Sequence, residues 1–290
     1  MSQNRRIIFL GNFEEGVLSL LRLIREGYNV PICLGDKRGD VLKEYCEIHN
    51  LHYADGKIVK GHDFLEVLNV YKPDLLVSNN FLYLLPEHVL KNYKAINLHS
   101  SLLPDYKGRY PVMQCILEGK QKTGYTIHYM SSEMDCGNIL LQREISLSGQ
   151  ETSVDIMRTM IFSQPSDIIK ATELALKGFE GRPMMNSGHS IDVEQYRELR
   201  IGIDTVEECT RKLRAFVKPY ALPYINLDRQ KFFVNEGICS TNIDNKGDAV
   251  TLRLKNGYLN LLKTSIHGEI WFSAVNFIKE MGIELPEHGK

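Results

Sequence analysis

Short apolar runs and amphipathic segments alternate along the first hundred residues, and this alternation constrains the fold more than any other feature. The runs "RIIFLGN" and "PDLLVSNN" are typical of buried parallel strands. The segments "FEEGVLSLLRLIREG" and "HDFLEVLNVY" have apolar residues at helical spacing. A β-α-β-α order predicts an α/β fold with a Rossmann-like, mostly parallel sheet and helices on both of its faces.

Two prolines refine this prediction. Pro31, in the strand-like run "YNVPICLG", favours an edge position because proline cannot donate a ladder hydrogen bond. Pro165 lies inside the helical pattern "SVDIMRTMIFSQPSDIIKATELALKG" and predicts a bend in one long helix.

The pattern changes after Thr123. The runs "TGYTIHYM" and "ILLQREISL" alternate strictly and predict a hairpin-like pair of strands joined by the long loop "SSEMDCGN". Beyond the linker "GRPMMNSG", the helical run "VEECTRKLRAFV" is followed by several short strands. We therefore predict a catalytic domain over residues 1–185 and a small C-terminal α+β accessory domain over residues 186–290.

Charge and cysteine usage limit the possible partners and the cellular location. The formal net charge of the 290 residues is −1, and a protein that binds nucleic acid usually has a basic surface, so nucleic acid is not expected as the partner. The six cysteines form no CxxC pair, which favours free thiols over a disulfide or zinc framework. We find no signal peptide and no apolar stretch long enough to span a bilayer, so we expect a cytoplasmic protein without membrane insertion.

Polar residues follow three of the predicted strands, where parallel sheets bind ligands. They are Gly11 to Phe13 after the first strand, Ser78 to Asn80 after "DLLV", and Asn97 and His99 at the end of "AINLH". Strand alternation points Asn97 and His99 to the same side. Taken singly, each has an ordinary structural explanation: a turn for Gly-Asn, and a hydrogen-bonded structural role for a histidine near a strand end. We interpret His128 in this structural way.

The order of these motifs resembles the formyltransferase family that uses 10-formyltetrahydrofolate. The resemblance is dense from about Pro73 to Ile145. The residues that carry it are Asn97-Leu98-His99, Ser101-Leu102-Leu103-Pro104, Gly108, Pro111, Gly124-Tyr125-Thr126-Ile127-His128 and Asp135-Cys136-Gly137-Asn138-Ile139.

The resemblance implies a metal-free transfer with 10-formyltetrahydrofolate as the co-substrate. Asn97 and His99 would donate hydrogen bonds to the oxyanion that forms when an amine attacks the formyl carbon. Asp135 would fix the tautomer of His99 and help to receive the amine proton. The folate would lie against two loops, although "FLYLL" could equally be core: Phe81, Leu82, Tyr83, Leu84, Leu85, Pro86 and Met130, Ser131, Ser132, Glu133, Met134, Asp135.

The family formylates several amines, and the chain is most similar to the nucleotide-sugar N-formyltransferases. The segment "RKLRAFVKPYALPYIN" resembles the start of their accessory domain, and the acceptor would be a dTDP- or GDP-linked 4-amino-4,6-dideoxyhexose for surface polysaccharide (O-antigen) synthesis. The candidate acceptor-binding residues are Gly11, Asn12, Phe13, Asn79, Asn80, Ser100, Lys107, Arg109 and Tyr220.

Two alternatives stay open. One is a methionyl-tRNA formyltransferase, although the chain lacks the basic insertion usual after the second strand of those enzymes, and its linker lacks their Tyr-x-x-Arg-x-Pro-x-Asp segment. The other is an inactive protein that binds folate or a nucleotide sugar. A homodimer formed through the β-rich C-terminal region is a further expectation.

Overall fold

A sheet of seven strands organises the N-terminal part of the chain in the computed structural model, which describes residues 4–38, 40–185, 188–243 and 248–285. Within these residues its strands are β1 Arg6–Gly11, β2 Asn29–Gly35, β3 Tyr53–Asp55, β4 Leu75–Asn79, β5 Ala95–His99, β6 Lys122–Tyr129 and β7 Ile139–Ser146. Their order across the sheet is β3-β2-β1-β4-β5-β6-β7. The five strands from β3 to β5 in this order pair in parallel with one another, whereas β5 and β6 pair antiparallel.

The edge position predicted from Pro31 is wrong, because β2 lies between β1 and β3. The sheet accommodates this proline in two ways. Pairing with β3 begins only at Cys33, so Pro31 lies outside that ladder. On the other side, the register against β1 shifts between Arg6 and Ile8, where the regular hydrogen-bond pattern is interrupted.

Helices accompany this sheet. They are α1 Phe13–Arg25, α2 Val41–Ile48, α3 Asp63–Tyr71, α4 Glu87–Leu90, α5 Pro111–Leu117, α6 Ser153–Ile161 and α7 Gln164–Leu176. Of these, α1 to α5 lie between its strands along the chain, whereas α6 and α7 follow β7. The predicted single helix bent at Pro165 is wrong, since α6 ends before it and Pro165 lies in the first turn of α7. The first turn tolerates proline because its backbone N–H would have no helical partner there.

A smaller antiparallel sheet lies in the C-terminal part of the described chain. Its strands are β8 Tyr224–Leu227, β9 Gln230–Ser240, β10 Val250–Leu254, β11 Gly257–Ser265 and β12 Phe272–Ser273. The helices α8 Val206–Ala215 and α9 Ala274–Glu280 accompany it. Buried Leu252, Leu259 and Phe277 belong to its own hydrophobic core. The predicted fold class, a mostly parallel α/β sheet followed by a small α+β region, is confirmed.

The chain divides into two units that are not simple halves. The first comprises Met1–Pro111, Thr123–Ile145 and Arg158–Ser190, and the second Val112–Lys122, Ser146–Met157 and Ile191–Lys290. The domain boundary between residues 185 and 186 stays a prediction, and residues 186 and 187 lie outside the described ranges. No helix among the described residues is both long enough and apolar enough to cross a bilayer.

Candidate active site

The pairing of β5 with β6 places the candidate catalytic side chains. Asn97 on β5 lies directly opposite His128 on β6, and His99 lies opposite Thr126. Asn97 Nδ2 is 3.4 Å from His128 Nε2, so the amide donates towards that ring nitrogen. Residues two apart on a strand share a face, and so do directly paired residues of neighbouring strands. The strand pair therefore brings Asn97, His99 and His128 to one face of the sheet.

Asp135 lies between the two histidines. Its Oδ2 atom is 3.4 Å from His99 Nδ1, and its Oδ1 atom is 3.4 Å from His128 Nε2. The backbone N–H of Gly108 donates to Oδ2 at 2.8 Å, which anchors the carboxylate to the loop after β5. The side chains of Asp135 and His99 are 9% and 8% exposed. The structure thus brings the three predicted catalytic residues together, and His128, which we interpreted as structural from the sequence, lies beside them.

Backbone carbonyls fix the protons of both imidazole rings. His99 Nε2 is 2.8 Å from the carbonyl oxygen of Tyr106, and His128 Nδ1 is 2.7 Å from that of Tyr129. A carbonyl oxygen only accepts, so each of these ring nitrogens carries a proton. In each neutral ring, the nitrogen that faces Asp135 therefore carries a lone pair and no proton. The cluster has room for one additional proton, which would sit between a ring and the carboxylate.

The pKa values in the cluster follow from burial and from these contacts. Burial lowers the pKa of His99, against the opposing effects of the Asp135 charge and the Tyr106 carbonyl. Burial alone would raise the pKa of Asp135, but the hydrogen bond from a protonated His128, the positive charge of a protonated His99 and the Gly108 N–H together lower it to about 2. At neutral pH the resting site therefore holds a neutral His99 beside an ionised Asp135.

The loop between β5 and α5 is held by contacts within the first unit. His189 accepts a hydrogen bond from Tyr106 N through its carbonyl oxygen, and its own N–H donates to Asp105. Lys107 Nζ donates to Cys136 Sγ at 3.1 Å, whereas Arg109 is exposed and lies over the ring of Tyr110. Lys107 thus links this loop to the loop that carries Asp135. Ser100, which follows β5 directly, is half-buried.

A second carboxylate, Asp36, ties together the loops after β1, β2 and β4. It follows β2 and its side chain is fully buried. It accepts hydrogen bonds from Asn12 Nδ2 at 2.9 Å, from Leu82 N at 3.0 Å and from the Arg38 guanidinium in a bidentate pair at 2.8 Å. Arg38 also donates to the carbonyl oxygen of Asn80 and lies over the Phe13 ring. Asp36 and Arg38 were not predicted from the sequence, although a charged pair just beyond a buried strand was a usable signal.

The candidate acceptor-binding residues differ in their accessibility. Asn12 and Asn79 are buried, and their amides are hydrogen-bonded within the fold, Asn12 to Asp36 and Asn79 to Glu15 and Ser19. Gly11 allows β1 to approach β4, because a Cβ there would lie 2.9 Å from the Asn79 carbonyl oxygen. Phe13 and Asn80 are half-buried, whereas Tyr220 belongs to the second unit.

The predicted folate loops combine core and exposed residues. In "FLYLLP", Tyr83 and Leu85 are buried in the core, whereas Leu82 and Leu84 are 37% and 52% exposed. In the second loop Met134 is 50% exposed, and Ser132 and Glu133 are also exposed. Phe81, Pro86, Met130 and Ser131 are half-buried. Alternate side chains of "FLYLL" thus point into the core and out to solvent, and the folate-binding role of this loop stays a prediction.

Backbone strain is concentrated in these loops. Five residues that are not glycine have positive φ angles there, a conformation that L-residues rarely adopt: Phe13 (56°), Asn80 (64°), Tyr106 (58°), Tyr110 (58°) and Asp135 (54°). Such conformations persist where the surrounding structure imposes them, and they cluster at functional sites. Among the described residues, no group of three or more His, Cys, Asp or Glu side chains could hold a metal ion.

Comparison with known proteins finds a matching domain in the part of the chain that contains this cluster. Residues 42–172, which include Asn97, His99 and Asp135, match the family described as formyl transferase. The chain carries a formyl transferase domain. A methionyl-tRNA formyltransferase of Azobacteroides pseudotrichonymphae genomovar. CFP2 is 27% identical over 320 residues, which cover 98% of each chain. The predicted formyltransferase enzyme is therefore confirmed.

Solved structures resemble most of this chain in fold. The N-formyltransferase of Helicobacter canadensis, solved with folinic acid and dTDP-3-aminofucose, has a TM-score of 0.68 at 17% identity and covers 89% of this chain and 98% of its own. HypX of Aquifex aeolicus, solved with tetrahydrofolic acid, has a TM-score of 0.69 at 16% identity over 95% of this chain. The chain spans about half the length of HypX, with 47% of it covered.

Proposed function

We propose that this formyltransferase moves the formyl group of 10-formyltetrahydrofolate to the amino group of a nucleotide-linked amino-dideoxysugar, dTDP- or GDP-4-amino-4,6-dideoxyhexose. The cluster of Asn97, His99, His128 and Asp135 carries the proposal for the chemistry. An amide donor and a proton acceptor lie side by side there, on one face of a rigid strand pair. Attack of an amine on a formyl carbon requires these two functions together.

The oxyanion would be stabilised from the β5 side. As the amine nitrogen bonds to the formyl carbon, the carbonyl electron pair moves onto the oxygen. Asn97 uses one amide hydrogen towards His128, and its second is available for that oxygen. His99 holds its Nε2 proton on the Tyr106 carbonyl in this structure, so it could donate to the oxyanion only if that bond opened. Asn97 is thus the donor that this arrangement supports best.

The amine proton would enter the cluster around Asp135. Nitrogen loses a proton after attack, and the lone pairs of His99 Nδ1 and His128 Nε2 both face the ionised carboxylate. Protonation of either ring turns a lone pair into a donor to Asp135 and creates an ion pair. The proton then passes from the cluster to the tetrahydrofolate nitrogen as the carbon–nitrogen bond of the donor breaks. No proton is lost or gained overall.

The proposed ligand positions follow the exposed parts of the loops. The exposed Leu82, Leu84 and Met134 side chains could contact the pterin, with backbone groups of the same loops as hydrogen-bond partners. The sugar nucleotide would be bound by Arg109 and by the Phe13 and Asn80 region, where Arg38 adds a cation that is about one-third exposed. Guanidinium groups suit a diphosphate because they donate two parallel hydrogen bonds.

The charge of the C-terminal region supports a small acceptor. Residues 186–290 contain 14 Lys and Arg and 14 Asp and Glu, so their formal charge is zero. A tRNA-binding surface would need a basic excess to neutralise phosphates. The near full-length similarity to a methionyl-tRNA formyltransferase favours that enzyme as the second candidate. The sugar N-formyltransferases of similar fold support the first candidate.

The test is a formylation assay with 10-formyltetrahydrofolate and three acceptors in parallel. These are dTDP-4-amino-4,6-dideoxyglucose, GDP-perosamine and charged initiator methionyl-tRNA, with the formyl mass increase as the readout. We expect turnover on a sugar nucleotide, and loss of turnover with retained folate binding in N97A. Turnover on the tRNA alone would contradict the proposed sugar acceptor and favour methionyl-tRNA as the acceptor. Binding of both ligands without turnover would favour the inactive binding protein.

A further inference from the structure

A polar cavity of about 520 Å³ lies wholly within the second unit and shares no residue with the site described above. Ligand-binding cavities generally fall in this range of volume. Five charged side chains line it, namely Lys120, Glu151, Glu207, Arg211 and Arg214. The three basic groups outnumber the two acidic ones, although Lys120 also forms an ion pair with Glu118 at 3.7 Å, so the first question is how the charges of the other four are balanced.

Both carboxylates of the cavity already have partners. Glu207 forms an ion pair with Arg211 one helical turn away on α8. The Glu151 carboxylate accepts backbone N–H bonds from Ser148 at 2.8 Å, Gly149 at 3.0 Å and Gln150 at 3.1 Å. These backbone bonds lower the pKa of Glu151 to about 2. The carboxylate of Glu151 is thus hydrogen-bonded by the backbone of its own loop.

The charge of Arg214 is not balanced. Its Nη1 donates to the carbonyl oxygen of Glu151 at 3.1 Å, and its Nε is buried without a hydrogen-bond partner. Among the residues that the structure describes, Arg214 pairs with no carboxylate. Burial and the nearby charge of Arg211 both lower its pKa, although the charge of Glu151 opposes them. A half-buried cation without a counter-ion is unfavourable, and an anion in the cavity would relieve this cost.

The two arginines are held in place by the local fold. They are three residues apart on α8, so they lie on the same face of this helix. The helix begins with a capping box between Thr205 and Glu208, which fixes its first turn. The guanidinium of Arg211 lies against the backbone of Gly119, where a Cβ would be only 2.7 Å from it. The cations are therefore ordered on a rigid element.

We propose that this cavity binds a phosphate-bearing small molecule through Arg214, Arg211 and Lys120. Two guanidinium forks on one helix face match the tetrahedral oxygens of phosphate, and the lysine adds a point charge at the rim. The cavity has room for more than the phosphate groups themselves. It would be a second binding site of the chain, in addition to the formyl-transfer site, and the proposal does not depend on the acceptor.

The test is isothermal titration of the full chain with inorganic pyrophosphate. We expect saturable binding, and we expect R214Q to weaken the affinity by about tenfold or more. This is the effect of losing one charge-assisted hydrogen bond. Arg253, an exposed arginine on β10 of the same unit, provides the matched control, and R253Q should bind like the unchanged protein. K120Q, which alters an exposed side chain and leaves the fold intact, should cost about threefold.

Three results would overturn the proposal. The first is no binding of pyrophosphate to the folded, unchanged chain at millimolar concentrations. The second is that pyrophosphate binds R214Q and K120Q as tightly as the unchanged protein. If R109Q alone loses binding in that case, the anion binds at the formyl-transfer site instead. The third is equal affinity for malonate, which would exclude a preference for phosphate. If R214Q is unfolded by thermal melting, K120Q and R211Q decide the outcome.

Discussion

Replacement of Asp135 by asparagine tests the proton-accepting cluster through both stability and rate. The contacts of this carboxylate lower its pKa from an ordinary value of 3.8 to about 2. Because its side chain is 9% exposed, solvent screening is weak. The difference corresponds to about 2 kcal/mol of stabilisation of the folded state at neutral pH.

The sign of the pH dependence follows from the direction of this pKa change. A lowered carboxylate pKa stabilises the native state fully above pH 3.8, and the stabilisation is lost as the pH falls towards 2. About half of it, roughly 1 kcal/mol, should be gone at pH 3. The stability difference between the unchanged protein and D135N should therefore shrink by this amount between pH 7 and pH 3.

The rate should respond more strongly than the stability. Asparagine cannot stabilise an imidazolium electrostatically, so we expect kcat to fall by about 10²- to 10⁴-fold. The KM for the formyl donor should change little, because the cluster acts on the transferred proton. Urea titrations at pH 3, 5 and 7 and steady-state kinetics at pH 7 measure the two effects. E66Q, which alters an exposed carboxylate on α3, is the control. A stability difference that is constant with pH, together with a kcat within about threefold of the unchanged enzyme, would refute the reasoning.

Four further substitutions test the remaining parts of the site. N97A should lower kcat by about 10²- to 10³-fold in single-turnover assays with folate binding intact. H128Q removes one proton acceptor, so kcat should fall at least about tenfold and the acid limb of the pH–rate profile should change. D36N leaves Arg38 without its buried partner; thermal melts should show a loss of about 3 kcal/mol, and the acceptor KM should rise more than kcat changes. Burial raises the pKa of Glu15 above 4.5, so its charge costs stability as the pH rises; E15Q should be the more stable protein in urea titrations at pH 8 but not at pH 4.

Local patterns were enough to predict the order of strands and helices. Apolar runs and helical spacing are properties of neighbouring residues, so β1, α1, β4 and β5 could be read from the sequence. The two proline predictions were wrong for a common reason. The position of Pro31 in the sheet and the helix break before Pro165 depend on how distant segments pack, which periodicity does not encode.

The same distinction between local pattern and long-range packing explains why the contact of His128 with Asn97 was not predicted. Asn97 and His99 are two residues apart, so strand alternation was enough to place them on one side. His128 is 31 residues beyond Asn97, and only the antiparallel register of β5 and β6 puts the two opposite each other. Asp36 was missed for a similar reason, because its hydrogen-bond partners Asn12 and Leu82 follow two other strands. The sequence pattern therefore predicted the residues of one strand end better than those shared between strands.

The partners of Asp36 and Asp135 explain why the chemistry is proposed at Asp135. Asp36 accepts from two backbone or side-chain amides and from Arg38, and neither an amide nitrogen nor a guanidinium accepts a proton near neutral pH. Asp36 therefore holds the loops after β1, β2 and β4 in position. Asp135 accepts from one backbone amide but faces two imidazoles, and a neutral imidazole has one nitrogen that can accept a proton. A proton arriving at Asp36 would find no basic nitrogen, whereas one arriving at Asp135 would find the imidazole nitrogens of His99 and His128 beside it.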